Sequence, residues 1–221
     1  MNYIKPLLEY VRTSGELLAS LNYDLVVEDA CDQIGMSYDY GLSEWPEGKV
    51  VKFHGKSLKL AKLHGSINWR KEADEIEFDD GQGGWNRALI FGGQSEKLTP
   101  DGPFLQLRYQ FEQALRGTNK LGVIGYSFQD AHLNALIRVW LATRTRAKLV
   151  VLSPQPSILQ TRKIGELQNI RLSRGLKNFT VEAVHIQKSA ASGIGDLIRE
   201  LEAEPVLPSA DNPTQNIRVM S

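Results

Sequence analysis

Residues 60–69 read LAKLHGSINW, and residues 17–28 read LLASLNYDLVVE. Each opens with an apolar run that has the composition of a buried strand. Each run then delivers polar groups at its end: His64-Gly65-Ser66 in the first case, Asn22-Tyr23-Asp24 in the second. Two hydrophobic strands that present polar residues at their C-terminal edges have the layout of an open α/β site.

Working outward, Ile4 to Arg12 has helical spacing, and Thr13-Ser14-Gly15 ends it. Leu17 to Leu21 reads as a strand. Leu25 to Ile34 reads as a helix, with Asp24 placed to cap its start. Gly35 to Gly48 is irregular and aromatic. Val50 to Phe53 and Ser57 to Leu63 read as a hairpin or two strands joined through His54-Gly55-Lys56. The acidic stretch Glu72 to Asp80, followed by Gly81-Gln82-Gly83-Gly84, reads as a solvated loop and marks an insertion or lid around residues 70–87. Ala88 to Phe91 is a short strand running into Gly92-Gly93.

Beyond it the alternation sharpens. A helix lies within Gly102 to Gly117. Lys120 to Ile124 is a strand into Gly125-Tyr126-Ser127, and Asp130 to Thr143 is an amphipathic helix. Ala147 to Leu152 is a strand ended by Ser153-Pro154. Leu159 to Leu167 reads as helix, Phe179 to Ile186 as an edge strand, and Ile194 to Glu202 as a terminal helix. Residues 205–221 are polar, with three prolines from Pro205 onward, and are expected to form a disordered tail. Strands alternating with helices predict an α/β fold: a doubly wound, mostly parallel sheet with helices on both faces, one domain over residues 1–204. In such sheets ligands bind at the C-terminal strand ends. The polar groups there are Asn22, Asp24, His64, Ser66, Gly92, Ser127 and Ser153.

Composition narrows the partners. The chain has 221 residues, 42% of them hydrophobic and 24% charged, an ordinary globular profile. Twenty-six basic and twenty-six acidic residues cancel, so no general nucleic-acid grip is expected, because that needs a basic face. Arg138, Arg144, Arg146 and Lys148 form a local cluster that could meet an anion. The single cysteine, Cys31, can build neither a disulfide framework nor a cysteine zinc site within one chain. No apolar run reaches the ~18 residues of a membrane span, and no signal peptide is evident, so the expected location is cytoplasmic.

Several segments, taken in order, resemble the sirtuin-like NAD-cleaving family. Leu21-Asn22-Tyr23-Asp24 is similar to its Asn-x-Asp strand end. Leu63-His64-Gly65-Ser66 resembles its catalytic Leu-His-Gly segment. Val123 to Asp130 looks like its Gly-x-Ser loop, and the wording Gly-Tyr-Ser-Phe-x-Asp is similar to the bacterial branch that cleaves NAD in anti-phage defence. Leu89 to Gly93 is a fainter match. The resemblance covers roughly residues 15–155 and implies a Rossmann-like, sirtuin-like domain. The family's Gly-Ala-Gly-x-Ser pyrophosphate loop has no counterpart before Asn22, so the domain is expected to be N-terminally incomplete. The four zinc cysteines of the deacylating branch are absent too, which disfavours protein deacylation.

The resemblance implies NAD as substrate, without a metal. Asn22 and His64 would be catalytic: Asn22 orienting water or ribose, His64 acting as base. Asp24, Gly125, Ser127 and Ser153 would hold the cofactor, with phosphate favoured at the strand-to-helix turn. The reaction implied is hydrolysis to ADP-ribose and nicotinamide. The alternative is a catalytically inactive module that binds a nucleotide such as an ADP-ribose-like ligand, a partner defence protein, or further copies of itself. Each residue also has a structural reading. Asn22 and Asp24 could simply cap a helix, His64 could be a satisfied core histidine, and Gly125-Tyr126-Ser127 could be a tight turn.

Overall fold

The computed structural model describes residues 2–72, 75–78, 87–89, 102–144, 146–155, 180–205 and 217–220. The chain divides into two compact units, Met1–Ala114 and Leu115–Ser221. Both are α/β, with parallel sheets and six helices among the described residues, as the alternating pattern predicts.

In the first unit, α1 (Lys5–Ser14) starts with Pro6 in its first turn and ends where Gly15 takes a left-handed conformation. Leu7, Leu8 and Val11 share its buried face. A parallel sheet follows in the order β1 (Leu17–Ser20), β3 (Leu58–Lys62), β2 (Tyr38–Asp39). The central strand β3 is buried at Leu58, Leu60, Ala61 and Lys62, whereas β1, at the sheet edge, is half-buried throughout. Leu58, Leu60 and Ala61 of β3 supply the apolar part of that buried surface, while Lys62 is a buried charge among them. Helix α2 (Val26–Gln33) follows β1, and the short α3 (Trp45–Gly48) precedes β3. Strands β4 (Gly65–Glu72), β5 (Glu75–Phe78) and β6 (Arg87–Leu89) form a separate antiparallel sheet with β4 in the middle.

Three expectations change here. The strand read over Ser57 to Leu63 is β3 (Leu58–Lys62), but the residues after it are not a loop alone: Leu63-His64 turns and β4 departs into the antiparallel sheet. Val50 to Phe53 is not a strand. Its Val51 N–H donates to Gln106 Oε1 at 2.8 Å, and its Val51 carbonyl accepts from Gln110 Nε2 at 2.9 Å. Glutamine side chains of α4 (Phe104–Gly117) thus supply the partners that a strand ladder would. The acidic stretch after Glu72 is not simply a solvated loop, because β5 pairs with β4 and aligns Arg70 with Glu77 as a cross-strand ion pair. Its sequence Glu75-Ile76-Glu77-Phe78 has the alternation of a strand, and Ile76 is buried.

The second unit carries a four-stranded parallel sheet ordered β10 (Ile217–Met220), β9 (Thr180–Ile186), β8 (Arg146–Leu152), β7 (Lys120–Ile124). Strand β8 is buried from Ala147 to Leu152. Helix α5 (Ala131–Thr143) connects β7 to β8. Helix α6 (Ala190–Glu202) packs on the sheet through Ile194, Leu197 and Leu201, and Leu201 reaches within 3.0 Å of a Cβ built on Gly122. Strand β9 is interior rather than an edge, because β10 adds beside it in parallel. Ile217–Met220 was expected within a disordered tail and instead closes this side of the sheet; its Ile-Arg-Val-Met alternation suits that place. Lys148, grouped above as an anion contact, is buried against Glu200 at 3.0 Å and Glu182 at 3.6 Å and is committed to those carboxylates. The helix expected at 159–167, residues 90–93 and most of the 70–87 insertion lie outside the described residues. Among the described residues no helix is long and apolar enough to cross a membrane.

Candidate functional site

In the first unit the parallel pairing of β1 with β3 sets Ser20 beside Lys62. The two strands therefore end together, and their following loops run side by side. Leu63 N–H donates to the Ser20 carbonyl at 2.9 Å, and Ile67 N–H donates to the Tyr23 carbonyl at 2.9 Å. Ser66 Oγ adds a second, longer bond to the Tyr23 carbonyl at 3.4 Å. The Tyr23 and His64 rings lie 6.5 Å apart. Asn22, Asp24 and His64, named from sequence alone, are thus gathered at one strand-end edge.

Each has its own surroundings. Asn22 is exposed, and its backbone N–H donates to Ser20 Oγ at 3.2 Å. Asp24 is exposed, and its Oδ1 accepts from Val26 N–H at 3.2 Å. Asp24 therefore does serve the start of α2, one position ahead of the N-cap residue Leu25. The capping reading thus holds through Oδ1. His64 is half-buried on the turn between β3 and β4. Gly65 beside it has φ 88°, and a Cβ there would lie 2.0 Å from the Ala88 carbonyl oxygen of β6. Only glycine lets the chain leave the histidine and enter β4 at this closeness. Two other histidines serve elsewhere: His54 Nε2 meets Glu44 at 2.9 Å, and His185 Nε2 meets the Ser153 carbonyl at 3.1 Å.

Under this edge lies a polar cluster that the sequence did not announce. Lys62 Nζ is 3.3 Å from Glu28 Oε1 and donates to the Asp24 carbonyl; the two side chains are 1% and 3% exposed. Tyr40 Oη donates to the same Glu28 oxygen at 2.8 Å, and Asn68 Nδ2 donates to Tyr40 Oη at 3.4 Å. Burial first, then the Glu28 charge, pushes the Tyr40 hydroxyl far above the usual phenol range, so it remains a neutral donor. Tyr40 also stands edge-on to Trp69 at 5.2 Å, which fixes its ring. The signal that could have found it is that a lysine in buried β3 and a glutamate buried on α2 both break their patterns.

In the second unit the loop from β7 to α5 is built to one shape. Gly125 has φ 64° with open space where a Cβ would stand, and Phe128 also takes positive φ, at 55°. Asn134 Nδ2 donates to the Phe128 carbonyl at 2.8 Å, and Tyr126 Oη donates to Asn134 Oδ1 at 3.0 Å. Asp130 caps α5 by accepting from the His132 and Leu133 N–H groups. Burial, then the Asp130 charge, pushes the Tyr126 hydroxyl up to about 12. Gly125 and Ser127 are left exposed on this scaffold, where a ligand's polar groups can approach the backbone. Ser153 differs from them. It is buried at the end of β8, and its Oγ accepts from Gln155 N–H at 3.3 Å. Among the described residues, no group of three or more His, Cys, Asp or Glu could hold a metal ion.

Compared with known proteins, residues 16–173 match the family described as SIR2-like domain. That span is more than half of the chain and takes in Asn22, Asp24, His64, Gly125, Ser127 and Ser153. No curated protein matches the chain.

Proposed function

This chain belongs to the SIR2-like domain family, whose members are in general NAD-dependent enzymes, and we propose that it hydrolyses NAD to ADP-ribose and nicotinamide. One observation carries the proposal. Asn22 and His64 stand on adjacent loops at the C-terminal ends of two parallel strands, tied together by hydrogen bonds to Ser20 and Tyr23. That is where an open α/β sheet receives its ligand.

The chemistry asks little of the protein beyond placement and charge. Water attacks the ribose carbon as the bond to nicotinamide breaks, and the bond's electron pair leaves with the nicotinamide ring. Positive charge spreads over the ribose in between. Asn22 offers a carboxamide to orient the water or a ribose hydroxyl. His64 takes the proton lost by the water, which imidazole does well near neutral pH. Asp24 has a carboxylate oxygen available for a ribose hydroxyl. For Gly125, Ser127 and Ser153, which belong to the second unit, a cofactor role rests on the resemblance alone; Gly125 and Ser127 are exposed, and the Ser153 hydroxyl is engaged by Gln155 N–H. The biological setting we propose is anti-phage defence in the bacterial cytoplasm, on the strength of the Gly125-Tyr126-Ser127-Phe128-Gln129-Asp130 wording.

The test is to incubate the purified chain with NAD and quantify products by chromatography. ADP-ribose and nicotinamide formed in equal amounts support hydrolysis. Stoichiometric NAD binding without products would replace it with a nucleotide-binding role.

A further inference from the structure

We propose that Lys62 is a positioning residue that locks the Asn22–Asp24 loop to the His64 turn; this rests on the strand-end site proposed above. An ion pair kept for stability alone is a poor explanation of this lysine. Burying an ammonium and a carboxylate carries a large desolvation penalty, and an apolar pair in the same space is often as stable or more so. Lys62 also does something that a bare ion pair does not. Its ammonium reaches across from β3 and donates to the backbone carbonyl of Asp24, just ahead of α2. That carbonyl precedes the helical ladder, whose first acceptor beyond it is the Leu25 carbonyl, bonded by Asp29 N–H. The lysine is therefore the donor that satisfies it.

The geometry makes the lysine a hub. It is the last residue of β3, two positions before His64 on the turn that follows, and it is fixed from below by Glu28, itself held by Tyr40. The Asp24 carbonyl, the Tyr23 carbonyl and the Ser20 carbonyl are all gripped by donors from the Lys62–Ile67 segment. The separation of Asn22 from His64 thus depends on this grip, and misplacement by about 1 Å can cost ~10²-fold in rate.

Two variants separate positioning from stability. Lys62→Met strands the Glu28 charge and is expected to lower the unfolding midpoint. Lys62→Met with Glu28→Gln removes both charges, keeps an acceptor for Tyr40, and is expected to recover most of that midpoint. In this double variant kcat for nicotinamide release is expected to stay ~10²-fold down with KM changed little. Amide hydrogen exchange over residues 22–26 is expected to rise by about tenfold. Recovery of parental kcat in the double variant, or unchanged exchange at 22–26, overturns the proposal. Should the parent itself release no nicotinamide, the NAD proposal fails and the exchange measurement alone decides the role of Lys62.

Discussion

Replacing Gly65 with alanine tests how the His64 turn is built. A Cβ at this position would stand 2.0 Å from the Ala88 carbonyl oxygen and 3.2 Å from the Leu89 Cα. Both are backbone atoms of β6, and Gly65 pairs with Leu89 in the sheet, so neither side can yield cheaply. Two penalties add. A side chain at positive φ costs ~1–2 kcal/mol. Forcing backbone apart in a packed region costs ~1–3 kcal/mol more. The sum, ~2–5 kcal/mol, is a large part of the ~5–15 kcal/mol that holds an ordinary domain together. With a mid-range urea slope of ~2 kcal/mol per molar, the midpoint should fall by about 1–2.5 M. Tryptophan fluorescence suits the measurement, because Trp69 is fully buried on β4. Gly15→Ala is the matched control: Gly15 has φ 71° but nothing within 4 Å of a built Cβ, so it carries the strain without the collision. A Gly65→Ala midpoint no lower than that of Gly15→Ala would refute the close approach.

Other consequences are open to measurement. Lys148→Met removes the buried cation that Glu182 and Glu200 share, and should destabilise by ~3–5 kcal/mol in chemical denaturation; a loss under ~1 kcal/mol would contradict that arrangement. Asp196 is held below the usual carboxylate range, chiefly by its hydrogen bond from Lys188 and also by the Lys188 and Arg199 charges, against the opposing effect of burial. Its contribution is therefore present above the unfolded-state value of ~3.9 and is lost as pH falls through the lowered folded-state value. The stability gap between parent and Asp196→Asn should be constant near neutral pH and close in acid; a gap that widens in acid has the wrong sign. Cys31 is pushed up to about 11 by burial and by the Glu28 and Asp32 charges. Iodoacetamide at about pH 8 should modify it far more slowly in the native chain than in urea, and equal rates would contradict its burial.

Much of this was legible in the sequence, for identifiable reasons. Helices α1, α2, α5 and α6 were found to within a few residues because their apolar faces repeat at helical spacing and because Gly15 and Asp130 mark their ends. Strands β1, β3, β7 and β8 stood out by their apolar residues; β8, interior and buried nearly throughout, shows this most fully, while the edge strands β1 and β7 are only half-buried. Where the pattern failed, the cause was long-range. Nothing local in Leu63-His64 reveals that the chain abandons one sheet for another, and the close approach of Ala88 comes from a segment over twenty residues later. Val51 reads as strand because its neighbours are apolar, yet its backbone partners are glutamines on α4. Ile217–Met220 alternates too briefly to outweigh the polar, proline-bearing segment before it. At the site, Asn22, Asp24 and His64 were visible as polar groups at strand ends. Lys62, Glu28 and Tyr40 were not assembled, because their meeting depends on which strands pair and in what register.

The central claim is that Asn22 and His64 carry cleavage of NAD. The most direct measurement compares nicotinamide release by the parent, Asn22→Ala and His64→Ala at matched concentration, with circular dichroism verifying that all three are folded. Release by the parent and loss of at least ~10²-fold in both variants is the predicted result. Variants that match the parent, or a folded parent that releases none, would contradict it.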